Sequence, residues 1–454
     1  MFIIYYLVLE GIFPQYGTKF TYRKEQWLHY IHSMKKSLFC LALVLCTSHV
    51  FSQGDRKVNY EEAKIPPYEL PDPLVFEDGS EVKTLGDWKK RRAEILNLFE
   101  TEVYGKAVSE TKSLAKVTKT IPDFLGGKAL MREVTISLSG EEGGPSMTML
   151  LITPKNVEQA PTFLTMNFSG NHTILDSPEI SITDSWMRMS GDVKKNGYVI
   201  DNKAQEAGRG YKASRWPVEK IIDAGVGLAT IYYGDIDPDF DDGFENGVHA
   251  HFGKPDGPAA WGSIATWTWG LSRGMDFLEK ADGIDPKRVA VMGHSRLGKT
   301  ALWAGATDER FALVISNNSG CGGAALSRRR IGENVKRINT SFPHWFCDNF
   351  QKYNDKESEL PIDQHHLIAL IAPRMVYVAS AKGDAWADPK GEFLSAKLAS
   401  PVYELLGKPG IGGVSEQAAV NTPVGETIRY HVRTGKHDVT DFDWEQYLKA
   451  IKSL

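Results

Sequence analysis

The chain has 454 residues, 42% apolar and 24% charged, with a formal net charge of −4. This is an ordinary globular composition, with room for one large domain carrying insertions or for two domains. No basic cluster stands out along it, so nucleic acid is not an expected partner.

Taken in chain order, the first signal begins at Met34: Met-Lys-Lys-Ser-Leu-Phe-Cys-Leu-Ala-Leu-Val-Leu-Cys-Thr-Ser-His-Val-Phe-Ser-Gln. A basic start, a short apolar core and a small residue at the end describe a secretory signal peptide over 34–52. A secreted or periplasmic protein is therefore expected. Residues 1–33 read as an upstream extension from a misplaced start codon. The alternative is a membrane anchor, but the apolar run 1–9 is too short to span a bilayer. Cys46 follows Val-Leu rather than small residues, which argues against a lipoprotein anchor, so no membrane association is expected after cleavage. Cys321 and Cys347 then remain, either paired in an oxidising compartment or as two buried thiols.

Residues 53–85 are polar and proline-containing and read as an extended arm before a single catalytic domain over 86–454. Helical periodicity begins at Asp87. Strand candidates follow at 112–120, 130–138, 146–153, 161–168, 225–233, 288–292, 311–316, 375–381 and 427–433. Helical stretches at 216–223, 259–281 and 299–306 separate the later strands. An antiparallel start followed by strand–helix alternation predicts a doubly wound, mostly parallel sheet in a three-layer sandwich, with a hairpin edge. Two segments, 171–215 and 320–361, are too long for simple connections, and insertions of that kind usually build a substrate site.

Residues 289–299 read Val-Ala-Val-Met-Gly-His-Ser-Arg-Leu-Gly-Lys. A strand, a sharp turn with serine at its apex and then a helix form the nucleophile elbow of α/β-hydrolases. The second glycine is displaced by one residue from the usual G-x-S-x-G. A serine nucleophile at Ser295 needs a base and an acid, in the chain order serine, acid, histidine. Of twelve histidines, His437 fits best as base, since it follows the last strand in a glycine-containing loop. His344, His365 and His366 are expected to pack or cap. Asp384 comes immediately after strand 375–381 and is preferred as acid; Asp388, followed by proline, is the alternative and suits a turn cap. The oxyanion donors are the backbone N–H of Arg296 and its guanidinium. The acidic loop 235–243 lacks the glycine and the bidentate glutamate of a calcium loop and reads as a polar loop with capping roles. No metal or organic cofactor is expected.

Gly-His-Ser-Arg-Leu-Gly-Lys followed by Ala-Leu-Trp-Ala-Gly-Ala resembles the nucleophile region of bacterial glucuronoyl esterases, carbohydrate esterase family fifteen. The similarity continues through Asn167-Phe-Ser-Gly-Asn-His-Thr, Asn318-Ser-Gly-Cys-Gly-Gly, Phe342-Pro-His-Trp-Phe-Cys, Leu360-Pro-Ile-Asp-Gln-His, Trp386-Ala-Asp-Pro and Gly435-Lys-His-Asp-Val-Thr, in order. It implies cleavage of the ester between a glucuronic or 4-O-methylglucuronic acid side group of xylan and a lignin alcohol. It also implies roles: Ser295 as nucleophile, His437 as base and the Arg296 side chain on the oxyanion. Lys299 would bind sugar hydroxyls, Glu333 would accept from the uronic ring, and Trp386 would pack on the sugar or its methoxy group. Independently, Lys299 lies one helical turn beyond Ser295 and can face the same pocket. Many family members carry the acid where this chain has Asn318, so the role passes to Asp384. Trp345 and Trp386 suit carbohydrate stacking, whereas Trp261, Trp267 and Trp269 are expected in the core. The expected partner is glucuronoxylan or a lignin–carbohydrate ester, met by a monomer. Two rivals remain: an acetyl-xylan or other carbohydrate esterase with the same triad, and a non-catalytic polysaccharide-binding protein. The intact Ser295, His437 and Asp384 argue against the second.

Overall fold

A computed structural model describes residues 58–108, 114–253 and 256–454. Val58–Leu454 form one compact unit. The extension and signal-peptide readings, 1–33 and 34–52, lie outside the described residues, as do the first five residues of the arm. Among the described residues, no helix is long and apolar enough to cross a membrane.

Helix α1 (Leu85–Glu102) opens with a capping box in which Thr84 and Asp87 satisfy each other's backbone N–H. Its buried Trp88, Arg91, Ile95 and Phe99 fall at helical spacing on one face. Strands β1 (Leu114–Phe124), β2 (Ala129–Ser137) and β3 (Ser146–Pro154) form the antiparallel start. β1 lies at the sheet edge, largely exposed, with Lys116 and Lys119 along it, and such charges discourage strand addition. β4 (Ala160–Asn167) follows, then a small separate hairpin of β5 (Val199–Ile200) and β6 (Lys203–Ala204), then β7 (Gly227–Tyr232) and β8 (Ile284–His294). The sheet is completed by β9 (Leu313–Asn317), β10 (Met375–Ala381), β11 (Val424–Gly425) and β12 (Ile428–Arg433).

The ten strands of the main sheet run in the order β1-β2-β3-β7-β4-β8-β9-β10-β12-β11. From β7 to β12 neighbours are parallel, and β11 closes the edge antiparallel. β4 and β7 are buried along their whole length, as strands covered on both faces must be. Helices α2 (Ser263–Leu278), α3 (Arg296–Thr307) and α4 (Pro389–Leu398) bury Trp267, Ala301 and Phe393 in the core on one face. On the other face lie Val218–Asp223 and α5 (Asp441–Lys452), with Ile221, Trp444 and Tyr447 in a second core. This is the three-layer α/β-hydrolase architecture. Its register brings His294 opposite Asn317, Asn317 opposite Ala379, and Ala381 opposite Arg433. The loops leaving β8, β9, β10 and β12 therefore emerge side by side.

Several expectations need correction. The helix expected over 259–281 begins only at Ser263, and Trp261 precedes it; Trp261, Trp267 and Trp269 are all buried, as expected for core residues. β8 starts at Ile284, four residues before the expected 288, because its polar Asp-Pro-Lys opening pairs irregularly with β4 and shows no apolar run. The arm is irregular rather than uniformly extended, with a tight helical turn at Glu62–Lys64 and a bridge between Val75 and Glu81. Of the two alternatives for Cys321 and Cys347, the structure has the second, two buried free thiols, and burial pushes the Cys347 thiol up to about 12.

Candidate active site

Ser295 stands between the end of β8 and the first residue of α3, at φ 59° and ψ −129°. A side chain held in this left-handed region costs about 1–3 kcal/mol and persists only where its surroundings over-determine it. Here Asn317 O accepts the Ser295 N–H at 2.9 Å. Gly293 permits the turn, since a Cβ there would run into the Leu297 carbonyl. The N–H groups of Gly298 and Lys299 return to Ser295 O at 2.8 and 3.2 Å. That leaves Arg296 and Leu297 as the first-turn N–H groups without an intrahelical acceptor.

The loops after β10 and β12 are stapled together: Gly383 N–H donates to Gly435 O and Lys382 N–H to Arg433 O, both at 2.8 Å. Across the staple, Asp384 Oδ2 lies 2.6 Å from His437 Nδ1. The carboxylate side chain is 4% exposed and the imidazole 40%, so the ring faces solvent over a buried anchor. Asp388 is engaged elsewhere. It caps α4 through Gly391 N–H at 3.0 Å and accepts from Arg329 Nε at 2.7 Å. Asn318 is buried at φ 48°, and neither side-chain atom of its amide has a protein partner.

Two further side chains set the His437 loop. Arg433, fully buried, donates to the carbonyls of Thr434 at 3.0 Å, Lys436 at 3.1 Å and Asp438, while its Nε sits 2.6 Å from Asp443 Oδ2. His294 packs its ring 4.5 Å from that of His437. Burial, and then the charges of His437 and Arg215, hold His294 far below the ordinary imidazole range. It therefore stays neutral, with Nδ1 2.7 Å from Asn317 Oδ1.

Arg296 lies among aromatic rings, 4.7 Å from the centroid of Trp345, 5.5 Å from Phe342 and 5.6 Å from Phe168. Its NH1 bonds Asp239 Oδ2, and its Nε–H has no acceptor in the protein. Asp239 is fully committed: Tyr233 OH donates at 3.0 Å, His344 Nε2 lies at 2.9 Å and Trp345 Nε1 donates at 2.7 Å. Burial alone would raise this carboxyl. The His344 hydrogen bond, the Arg296 charge and the Trp345 N–H overcome it and hold the group below the usual carboxylate range. Asp239 is the residue that sequence reasoning missed. The visible signal was the run of carboxylates in 235–243, of which both Asp237 and Asp239 are buried, but nothing local says which of them meets Arg296. Among the described residues, no cluster of His, Cys, Asp and Glu is arranged to hold a metal. His344 is not merely a packing residue, since it anchors the carboxylate behind Arg296. His365 and His366 lie away from this site, one on the Pro71 carbonyl and one in the cap of Gln364–Ala369.

Two cavities, of about 300 and 240 Å³, meet at the serine. Ser295, Arg296 and His437 line both. The insertion 171–215 walls the larger one, with Met187, Tyr211, Lys212 and Arg215. The insertion 320–361 and the turn after β10 wall the smaller, with Glu333, Trp345 and Trp386. Lys299 enters the smaller cavity from α3, donating to Ser319 O at 2.6 Å with Glu333 Oε2 at 3.4 Å. Glu333 N–H in turn donates to Trp386 O at 2.9 Å. Gly332, at φ 62°, lets the two loops touch, because a Cβ there would strike that same carbonyl. Trp386 is 37% exposed. Trp345, expected as a stacking platform, is instead buried, with its ring parallel to Phe342 at 3.7 Å between centroids. Six of the seven expected site residues thus line one cavity, and Asp384 stands behind His437.

The family model described as fungal glucuronyl esterase matches residues 221–407. Carbohydrate esterase MZ0003, from an unknown prokaryotic organism, is 52% identical over 423 residues, 90% of this chain and 96% of its own length. A solved glucuronoyl esterase from Solibacter usitatus is 49% identical with a TM-score of 0.80, covering 86% of this chain and 99% of that one. The 4-O-methyl-glucuronoyl methylesterase of Cerrena unicolor is 30% identical, over 77% of this chain and 63% of its own length. A solved family-fifteen esterase from a marine bacterial metagenome is 52% identical with a TM-score of 0.81, covering 87% of this chain and 99% of that one. With this sequence similarity over an α/β-hydrolase sheet, the chain belongs to the bacterial glucuronoyl esterases of carbohydrate esterase family fifteen and is a carboxylic ester hydrolase.

Proposed function

We propose that this protein hydrolyses the ester between a glucuronic or 4-O-methylglucuronic acid side group of xylan and a lignin alcohol, by a Ser295–His437–Asp384 acyl-enzyme mechanism. The observation that carries the reading is the 2.6 Å Asp384–His437 bond beside the two cavities that share Ser295. His437 takes the Ser295 proton as Oγ attacks the uronoyl carbonyl, and Asp384 stabilises the imidazolium that forms. The carbonyl oxygen becomes an oxyanion beside the Arg296 N–H and guanidinium. His437 returns its proton to the leaving alcohol, and water then releases the acid by the same route in reverse. Lys299, Glu333 and Trp386 offer a cation, a carboxylate and an aromatic face to the sugar, and the names of the relatives favour a uronoyl over an acetyl group. Residues 86–454 are the catalytic domain in this reading, 53–85 its arm, and 34–52 an export signal for a secreted or periplasmic enzyme. One chain supplies every wall of both cavities, so a monomer suffices for the reaction in this reading.

Asp239→Asn removes the charge that fixes Arg296, and kcat is expected to fall about 10²-fold, the scale of losing one oxyanion donor. Steady-state kinetics on a folded variant checks this; an unchanged kcat would remove Arg296 from the oxyanion role. The substrate class is tested by comparing benzyl glucuronate with an acetyl ester of xylose. The uronoyl ester is expected to have the higher kcat/KM. Faster acetate release would keep the mechanism and discard the substrate, and hydrolysis of neither would return the binding-protein rival.

A further inference from the structure

The larger cavity has a chemistry that hydrolysis of a neutral ester does not require. Four cationic side chains line it, Arg188, Lys212, Arg215 and Arg296, and no carboxylate does. Two of the four are neutralised from behind. Arg296 is paired with Asp239, and Arg215 Nε lies 2.5 Å from Asp438 Oδ1. The other two are not. Arg188 donates to the backbone carbonyl of Asp239, which carries no formal charge. Lys212 is half-buried, with its ammonium 4.7 Å from the centroid of the Tyr211 ring, and has no ion-pair partner among the described residues. Its ammonium is pushed below its ordinary value by burial and then by the Arg215 charge, which the Asp438 and Asp192 carboxylates only partly offset. Apart from Ser169, Ser190 and the catalytic groups, the remaining walls are apolar or aromatic, including Phe168, Val193, Val199 and Tyr211.

The smaller cavity, with Lys299, Glu333 and Trp386, accounts for the sugar side of the ester. Its carbonyl must sit at the three residues common to both cavities, so the alkoxy group points into the larger one. We infer that the larger cavity is an alcohol subsite selective for aromatic alcohols that carry a carboxylate, with Lys212 and Arg188 receiving the anion and Tyr211 and Phe168 the ring. This inference rests on the proposed uronoyl-ester reading and adds the identity of the alcohol. No extra covalent step is involved: the ester bond breaks as above, and the carboxylate-bearing alcohol leaves with the proton from His437.

The test measures kcat/KM for four glucuronate esters: benzyl, 4-carboxybenzyl, 4-(ammoniomethyl)benzyl and 3-carboxypropyl. At low ionic strength the carboxybenzyl ester is expected to exceed the ammoniomethyl ester by about tenfold or more. The ratio should fall as salt is raised to about 0.5 M, where the Debye length is only about 4 Å. Lys212→Glu should lower the same ratio at least severalfold. The carboxypropyl ester, anionic without a ring, should be slower than the carboxybenzyl ester. Equal kcat/KM for the two oppositely charged benzyl esters, insensitive to salt in the wild type, would overturn the anion subsite whatever the variant does. A carboxypropyl ester as fast as the carboxybenzyl one would overturn its aromatic half. Failure to cleave even benzyl glucuronate would instead overturn the uronoyl-ester reading beneath it.

Discussion

Ser295→Ala is expected to lower kcat for uronoyl-ester hydrolysis by on the order of 10⁶-fold, about 8 kcal/mol of transition-state stabilisation. The size follows from what the substitution removes. Without Oγ there is no acyl-enzyme, and His437 and Asp384 lose the group they act on together. What survives is substrate binding and the oxyanion donors, which act on a bound water instead. The variant should still fold. Alanine keeps the Cβ that already occupies φ 59°, and the bond from the 295 N–H to Asn317 O is backbone only. KM should therefore change little, and a native circular-dichroism spectrum distinguishes this loss from one caused by unfolding, which would also lower apparent kcat at constant KM. Steady-state kinetics beside circular dichroism reads both. A residual rate within tenfold of wild type would mean that another group attacks the ester.

The second large effect separates the two acid positions. Asp384→Asn should reduce kcat by about 10³–10⁴-fold, while Asn318→Ala should cost about threefold or less. An asparagine at 384 keeps the shape but not the charge. With the carboxylate side chain only 4% exposed, solvent cannot replace that charge under the imidazolium. The amide also offers an N–H where Nδ1–H requires an acceptor, so the imidazole is turned toward the wrong tautomer. Asn318 has no hydrogen bond to His437, and its amide atoms have no partner in the protein to lose. Comparable losses from the two substitutions would contradict the assignment of Asp384.

Much of this was legible in the sequence because the signals are local. Strand 375–381 matches β10 end to end, since a buried parallel strand is a continuous apolar run. The elbow at Ser295 is written in consecutive residues, and Asp384 and His437 follow strand ends that periodicity locates. Signals that depend on distant partners were not legible. The start of β8 is polar and hid among turn residues. Asp239 and Arg296 are 57 residues apart and meet only when the acidic loop folds over α3. Arg433 reads as one more strand cation until the carbonyls it gathers around the His437 loop are seen. Trp345 and Trp386 are chemically alike, and only packing against Phe342 tells the buried strut from the exposed platform.

The claim that Ser295 is the attacking group in a uronoyl-binding site is tested most directly by fluorophosphonate labelling with peptide mapping, with and without excess glucuronate. One adduct per chain on Ser295, inactivation in step with labelling, and slowing of both by glucuronate are the predicted result. Inactivation with the adduct on another residue, or full turnover by a protein labelled at Ser295, would contradict it.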